Sequence, residues 1–328
     1  SRIPHCACDV SVVVPTCRRP ALLRRCLTLL LAQEFDRRRY EILVADDGRD
    51  AATERLVREL QARWAAPALR YLPVTAGRGP AAARNLGWRV AQGEIIAFTD
   101  DDCMPALDWL ERGLAALEAD AAGVAGRILM PLPKCPTDYE ANATGLAEAE
   151  FVTANCFCRR SVLEAVGGFD VRFRRAWRED SDFFFTLLTR GERVVAAPRA
   201  VVVHPVRPAP WGVSLKQQRN ALFESLLYKK HPALYWRMAR TQRPWRYYAI
   251  VAGGLVAVAG LLSGRPAPAL AGGLLWLTLT VRFCLRRLRG TSRRPGHVLE
   301  MALTSVLIPP LAIAWRLAGA VRHRVLFF

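Results

Sequence analysis

Apolar runs alternate with amphipathic segments from Val10 to Val203. The short apolar runs, rich in β-branched residues, predict buried strands of a sheet covered on both faces. Apolar residues at helical spacing predict helices between them. Strands that alternate with helices indicate βαβ units, so we expect an α/β domain with a mostly parallel sheet. The predicted strands are 10–14, 41–45, 69–74, 94–99, 123–130, 151–158 and 193–203, and the predicted helices are 21–33, 52–64, 80–92, 107–119, 161–166 and 180–189.

The remainder of the chain follows other patterns. Residues 131–150 contain three prolines and predict a loop or flap, and residues 211–228 predict an amphipathic helical connector. Two apolar stretches, about 247–263 and 267–284, predict membrane spans, with a soluble helical subdomain as the alternative. We therefore divide the chain into a domain over 1–235 and a membrane region over 236–328.

A third apolar stretch, about 298–321, contains Pro309, Pro310 and Arg316, and Arg322 and Arg324 follow it directly. A span with two central prolines loses backbone hydrogen bonds, and its arginines favour the lipid headgroups over the hydrocarbon. We predict a re-entrant or interfacial segment, with a third span as the alternative.

The charge of the chain is concentrated near its end. The net charge of the chain is +18, and residues 240–328, with thirteen arginines and one acid, supply +12 of it. Arginine beside apolar helices is typical of contact with anionic membrane lipids and marks the cytoplasmic side, which argues against nucleic acid as the partner. The arginine-rich segment 282–294 and two crossings place the preceding domain on the cytoplasmic face of the cell membrane. Nine irregularly spaced cysteines without a secretory signal agree with that reducing compartment.

Acidic clusters follow two of the predicted strands. Asp46 and Asp47 come after the second strand, and Asp100 to Asp102 after the fourth. Ligands bind at the carboxyl ends of strands in such sheets, so we expect both clusters in one cleft. Asp100 and Asp102 lie on the same side of an extended chain and can share a metal and a ribose. A carboxylate-held divalent cation neutralises a phosphate-linked leaving group, although either cluster alone also fits an ordinary acidic turn.

Short motifs occur along residues 9–235. They are Val-Val-Pro-Thr (13–16), Asp-Asp-Gly (46–48), Gly-Pro-Ala-Ala-Ala-Arg-Asn-Leu-Gly (79–87), Thr-Asp-Asp-Asp-Cys (99–103) with Trp109 downstream, Gly-Gly-Phe-Asp (167–170) and Glu-Asp (179–180) with Gly191 closing the helix. In order and spacing, these motifs resemble those of the family 2 glycosyltransferases, which have a GT-A fold. The resemblance implies a metal-dependent and nucleotide-sugar-dependent transferase of glycan biosynthesis.

The resemblance assigns a role to each matched position. The nucleotide base would be held by Thr16 and by Asp46 and Asp47, of which Asp47 is our choice for the imide N–H. Arg84 would approach the base or the pyrophosphate, and Asp100 the ribose. Asp102 would bind Mn²⁺ or Mg²⁺, and His204 would complete the metal site as it does in some GT-A enzymes, a structural histidine being the alternative. UDP-sugar is the expected donor, with GDP- and dTDP-sugars as alternatives.

The same resemblance makes Asp180 the general base of an inverting transfer. A carboxylate opposite the leaving group can take the proton of the attacking hydroxyl. Crowding of Glu179, Asp180 and Asp182 is expected to raise a pKa in this group, whereas the alternative is an acidic helix N-terminus that only stabilises the dipole.

Two departures from the family pattern refine the prediction. Arg49 stands where a serine usually follows Asp-Asp-Gly, and the Gln-x-x-Arg-Trp motif of processive synthases is missing. We therefore expect one hexosyl group per encounter, moved to a lipid-linked or glycan hydroxyl at the membrane. The alternatives are a nucleotidyl- or phosphotransferase that uses the same carboxylates, and a catalytically idle membrane scaffold.

Overall fold

The computed structural model describes residues 8–238 and 244–327. The chain forms two compact units. The first unit comprises Ser1–Pro131 and Gly145–Pro205, and the second comprises Leu132–Thr144 and Val206–Phe328.

Within the described residues, the first unit contains one eight-stranded sheet of order β3-β2-β1-β4-β7-β6-β8-β5. All pairings among β3, β2, β1 and β4 are parallel, while β7 and β5 run against the other strands. The prediction of a mostly parallel α/β sheet is confirmed. The strands are β1 (Val10–Thr16), β2 (Tyr40–Asp46), β3 (Ala68–Pro73), β4 (Ile95–Thr99), β5 (Met104–Pro105), β6 (Gly123–Leu129), β7 (Asn155–Arg159) and β8 (Val194–Val203).

Helices cover the sheet in the first unit and make up most of the second. They are α1 (Pro20–Leu31), α2 (Ala51–Arg63), α3 (Pro80–Val90), α4 (Trp109–Ala115), α5 (Asp138–Ala143), α6 (Arg160–Val166), α7 (Glu179–Thr189), α8 (Val213–Gln217), α9 (Ala221–Lys230), α10 (Pro232–Met238), α11 (Trp245–Leu262), α12 (Pro266–Arg287) and α13 (Pro295–His323). Short 3₁₀ turns lie at Thr144–Leu146 and Gln218–Asn220.

The core of the first unit follows the apolar pattern of the sequence. Every residue of β1, β2 and β4 is buried, as expected for strands with helices on both faces. On α1, the predicted apolar face at Leu23, Leu27, Leu30 and Leu31 is fully buried against this sheet. Burial on both faces fixes the register of these strands and therefore the position of the residues that follow them.

Some predicted elements differ from the observed ones. Instead of a loop, 131–150 contains α5, whose start is stabilised by a capping box between Thr137 and Glu140. The predicted connector helix 211–228 is divided into α8, a 3₁₀ turn and α9. The predicted strand 151–158 begins only at Asn155, because Asn155 N donates to Val152 O and closes a turn there.

In the second unit, α11, α12 and α13 are long and apolar enough to cross a membrane. The first two pack through small residues: a Cβ on Gly272 would lie 2.5 Å from Ala257 N, and one on Gly260 would lie 2.5 Å from Ala269 N. The third helix is continuous through Pro309 and Pro310, although the sequence predicted an interruption there. Its re-entrant, interfacial or spanning placement remains a prediction.

Candidate functional site

The carboxyl ends of β1, β2 and β4 lie side by side, because these strands are parallel neighbours. Thr16, the last residue of β1, pairs in register with Asp46, the last residue of β2. The Thr16 hydroxyl donates a hydrogen bond of 2.7 Å to Asp101, which follows β4. The acidic clusters after β2 and β4 are thus brought to one edge of the sheet, as the sequence predicts.

Asp46 organises the turn after β2. Its side chain is fully buried, and Oδ1 accepts from Gly48 N at 2.8 Å. Oδ2 accepts from Asp50 N at 2.8 Å and from the Tyr71 hydroxyl at 3.0 Å. Three protein donors therefore already occupy this carboxylate.

Asp47 has a different environment. It is partly exposed, and its Oδ2 accepts from Gly79 N at 2.9 Å. Among the described residues, Oδ1 of Asp47 has no hydrogen-bonding partner. Gly79 is the residue before α3 and has φ +89°, and a Cβ there would lie 2.5 Å from Arg174 O. Only glycine fits this position, because the backbone here passes close to both Asp47 and Arg174.

Arg84 lies in α3 and is buried between two acidic segments. Nη2 donates to Asp100 Oδ1 at 2.8 Å and Nη1 donates to Glu179 Oε1 at 3.0 Å. Burial would lower the pKa of Arg84, but the two carboxylates outweigh it and raise that pKa. The sequence placed Arg84 against the base or pyrophosphate, whereas in the structure it pairs with protein carboxylates.

The three consecutive aspartates point to different partners. Asp100 is partly exposed beside Arg84. Asp101 is buried and forms a 3.0 Å ion pair with Arg19. Burial raises the pKa of Asp101, although the charge of Arg19 acts in the opposite direction. Asp102 is buried, and its Oδ1 lies 3.5 Å from His204 Nε2. Arg19 and Asp101 were not singled out in the sequence, because nothing local links α1 to the turn after β4.

Asp102, Cys103 and His204 form a candidate metal centre, since their ligand atoms all lie within 4.8 Å of one another. A carboxylate oxygen and a ring nitrogen suit Mn²⁺, and an oxygen also suits Mg²⁺. Burial raises the pKa of the Cys103 thiol well above its usual value, and the thiol lies 3.8 Å from Ala154 O. Mn²⁺ and Mg²⁺ prefer oxygen and nitrogen ligands to sulfur, so Asp102 and His204 are the residues that fit such an ion.

Asp180 lies in the first turn of α7, where the helix dipole favours a negative charge. Its Oδ1 accepts from Ser181 N at 2.6 Å. Burial raises the pKa of Asp180, against the opposing effect of Arg84 and Arg178. Burial and the charge of Asp180 raise the pKa of Glu179 to about 7. Crowding thus contributes to these shifts as the sequence predicted, but desolvation is the larger cause.

Asn85 fixes the loop that leads toward α7. Its Nδ2 donates to Phe169 O at 2.7 Å, and its Oδ1 accepts from Phe169 N at 2.9 Å and from Trp88 Nε1 at 2.9 Å. Gly168, at φ +74°, leaves room for this clamp, since a Cβ there would lie 2.4 Å from Asn85 Oδ1. The motif around Arg84 therefore also positions the Gly-Gly-Phe-Asp loop.

Comparisons with known proteins identify similar glycosyltransferases. A family described as Glycosyl transferase family 2 matches residues 11–176, and one described as Glycosyl transferase family group 2 matches residues 141–318. The glycosyltransferase AglE of Haloferax volcanii is 29% identical over 219 residues, which are 64% of this chain and 70% of that protein. The pre-mycofactocin glycosyltransferase of Mycobacterium tuberculosis is 30% identical over 61% of this chain, but the match spans only 43% of that protein.

A solved structure shares the fold. The mannosyltransferase PcManGT from Pyrobaculum calidifontis, in complex with GDP-Man and Mn²⁺, superposes with a TM-score of 0.56. The match covers 96% of this chain and 87% of the other, at 21% identity.

Proposed function

Because this chain belongs to glycosyl transferase family 2 and is a glycosyltransferase, we propose that it moves one sugar, with inversion, from a UDP-sugar to a lipid-linked or glycan hydroxyl at a membrane. The observation that carries the proposal is the position of Arg84 between Asp100 and Glu179. Arg84 links the aspartates after β4 to the Glu179-Asp180 pair. We assign the aspartates to the nucleotide and the metal, and the Glu179-Asp180 pair to the acceptor hydroxyl.

Donor binding is assigned to the carboxyl edge of β1, β2 and β4. Asp47 has an oxygen available for the imide N–H of a uracil, whereas Asp46 is occupied by its own turn, which supports our choice of Asp47. Thr16 holds Asp101 at the floor of this site. Arg84 orients Asp100 toward the ribose through their 2.8 Å ion pair, in place of the contact with the base or the pyrophosphate that the sequence predicts.

The metal is assigned to Asp102 and His204, with Mn²⁺ preferred to Mg²⁺ because imidazole is a better ligand for Mn²⁺. When bound, the ion neutralises charge on the leaving diphosphate. The position of Asp102 is fixed by its short connection to β4. The position of His204 is fixed by the hydrogen bond of 2.8 Å that its backbone N donates to Leu129 O. Both ligands therefore come from ends of strands, which keeps the site rigid.

Proton transfer is assigned to Asp180. A carboxylate with a pKa raised by burial is a better base than an ordinary one, provided that it stays ionised at the working pH. Glu179, with a pKa of about 7, is partly protonated near neutral pH, and this limits the repulsion beside Asp180. Asp180 takes the hydroxyl proton while the acceptor oxygen attacks the anomeric carbon from the face opposite the diphosphate.

The acceptor and the location are proposed from the second unit. Three helices that could cross a membrane support a location at a lipid surface, where a lipid-linked hydroxyl is available. We assign residues 1–235 to catalysis on the cytoplasmic face of the cell membrane and 236–328 to the membrane.

A donor screen tests the proposal. The full chain in detergent is incubated with Mn²⁺ or Mg²⁺ and UDP-, GDP- or dTDP-sugars, and released nucleotide and the anomeric configuration of the product are measured. We expect chelator-sensitive release from a UDP-sugar. Asp180→Asn should retain nucleotide binding and lose transfer by about a hundredfold or more, whereas Glu164→Gln, an exposed acid on α6, should behave as wild type. Full activity of Asp180→Asn, or a product with retained configuration, would contradict the mechanism.

A further inference from the structure

A cavity of about 690 Å³ lies in the second unit, where the start of α11 meets the end of α12. Its volume is within the range of pockets that hold small molecules. Five exposed arginines line it, and no acidic residue does: Arg246, Arg282, Arg286, Arg289 and Arg293. Such a concentration of like charge is unfavourable unless an anion binds among them.

The protein does not supply that anion. Among the described residues, none of these five guanidinium groups forms an ion pair or a side-chain hydrogen bond. Arg287, on the same helix, is different: it is buried and bonded to Asp138 at 2.8 Å and to Thr304 at 2.7 Å. The single acid of residues 240–328, Glu300, accepts a hydrogen bond from Gly212 N at 2.7 Å. An anionic ligand would supply the counter-charge that the described residues do not.

The same cavity has an apolar wall. Ile250, Leu279 and Phe283 line it beside the arginines, and the Tyr247 ring meets Phe283 edge-on at 5.4 Å. These residues belong to the two helices whose outer surfaces are apolar and exposed along their length. Tyrosine and tryptophan residues at the start of α11, with arginines beside them, are typical of the boundary between hydrocarbon and headgroups. A ligand that fits both parts has a phosphate at one end and a hydrocarbon chain at the other.

We propose that this cavity is a binding site for the phosphate headgroup of an anionic glycerophospholipid, with an acyl chain along Ile250 and Leu279. Arginine forks bind phosphate oxygens in pairs, and near a membrane surface each cation strengthens the attraction to anionic lipid. The assignment is independent of the glycosyl transfer proposed above, because it involves no residue of the first unit.

The test compares lipids on the full chain. The protein in neutral detergent is titrated with phosphatidylglycerol or phosphatidylcholine of the same acyl chains, and bound lipid is counted by native mass spectrometry. We expect wild type to bind one phosphatidylglycerol at least about tenfold more tightly than phosphatidylcholine. The triple variant Arg282→Gln/Arg286→Gln/Arg289→Gln should lose this preference, and the corresponding triple lysine variant should keep most of it.

A matched control removes the same charge elsewhere. Arg265, Arg322 and Arg324 are exposed and do not line the cavity, so Arg265→Gln/Arg322→Gln/Arg324→Gln should bind phosphatidylglycerol as wild type does. Equal binding of both lipids by wild type, or an equal loss in the control, would overturn the proposal. Displacement of the lipid by soluble glycerol phosphate at similar concentration would show a site for free phosphate. Displacement by a polyprenyl phosphate at far lower concentration would assign the cavity to an acceptor lipid; either result would overturn the assignment.

Discussion

Arg84 and Glu179 lie 95 residues apart in the sequence and form an ion pair of 3.0 Å in which both side chains are buried. The same guanidinium binds Asp100, so helix α3 connects the turn after β4 with the first turn of α7. A planar guanidinium can serve two carboxylates in fixed directions, which a lysine cannot. The geometry of the site therefore depends on this one side chain.

Replacing Arg84 should change the pH dependence of the reaction. Its charge lowers the pKa of both Asp180 and Glu179, so in Arg84→Gln both pKa values rise. If Asp180 is the base, it then stays protonated to a higher pH, and the acidic limb of the kcat/KM profile moves upward. Arg84→Lys should show a smaller shift, and Arg89→Gln, on the exposed face of α3, should show none. An unmoved limb in Arg84→Gln would show that the titrating group is another one.

Glu179 should make the stability of the protein depend on pH. Its folded pKa of about 7 is above the ordinary glutamate value of 4.5, so between these values the folded state keeps a proton that the unfolded chain has released. This contribution is fully present below pH 4.5 and is lost as the pH rises through 7. Glu179→Gln cannot ionise, so its unfolding midpoint relative to wild type should be higher at pH 8 than at pH 5.5.

Thermal unfolding in detergent, followed by intrinsic fluorescence at both pH values, measures this difference. Glu164→Gln on α6 is the control, since that side chain is exposed and outside the network. A relative midpoint that is the same at both pH values would contradict the raised pKa of Glu179.

Variants of Asp46 and Asp47, at the end of β2, should separate effects on folding from effects on binding. Asp46→Asn replaces one acceptor oxygen by an NH₂ group that faces protein donors, and we expect a loss of about 1–3 kcal/mol in the free energy of unfolding. Asp47→Asn removes only the charge of a partly exposed group, so it should weaken UDP binding and leave stability nearly unchanged. Calorimetric titration and denaturant unfolding of both variants measure the two effects. A stable Asp46→Asn protein that fails to bind UDP would reverse the assignment.

The sequence predicts the parts of this site that depend on local pattern. Buried strands end at Asp46 and at Thr99, just before Asp100, and parallel neighbours bring those ends together, so the convergence of the acidic clusters follows from the pattern. The pairing of Arg84 with Glu179 and of Asp101 with Arg19 does not follow, because contacts between distant elements leave no mark on local periodicity. Helix α5 was missed for another reason: its capping-box residues, Thr137 and Glu140, lie among prolines that suggested a loop.

The metal assignment makes a prediction about three neighbouring residues. Asp102 and His204 offer an oxygen and a nitrogen 3.5 Å apart, and the buried thiol of Cys103 is the third group nearby. Asp102→Ala should abolish metal-dependent nucleotide binding. His204→Ala should weaken it by roughly tenfold or more in Mn²⁺ and should reduce the preference for Mn²⁺ over Mg²⁺. Cys103→Ser should bind as wild type does, because Mn²⁺ and Mg²⁺ prefer oxygen and nitrogen ligands to sulfur. The measurement is calorimetric titration of UDP with Mn²⁺, Mg²⁺ or chelator, with the free energy of unfolding as a check on each fold. If Cys103→Ser lost binding while His204→Ala kept it, the site would be a thiolate centre and the manganese assignment would be wrong.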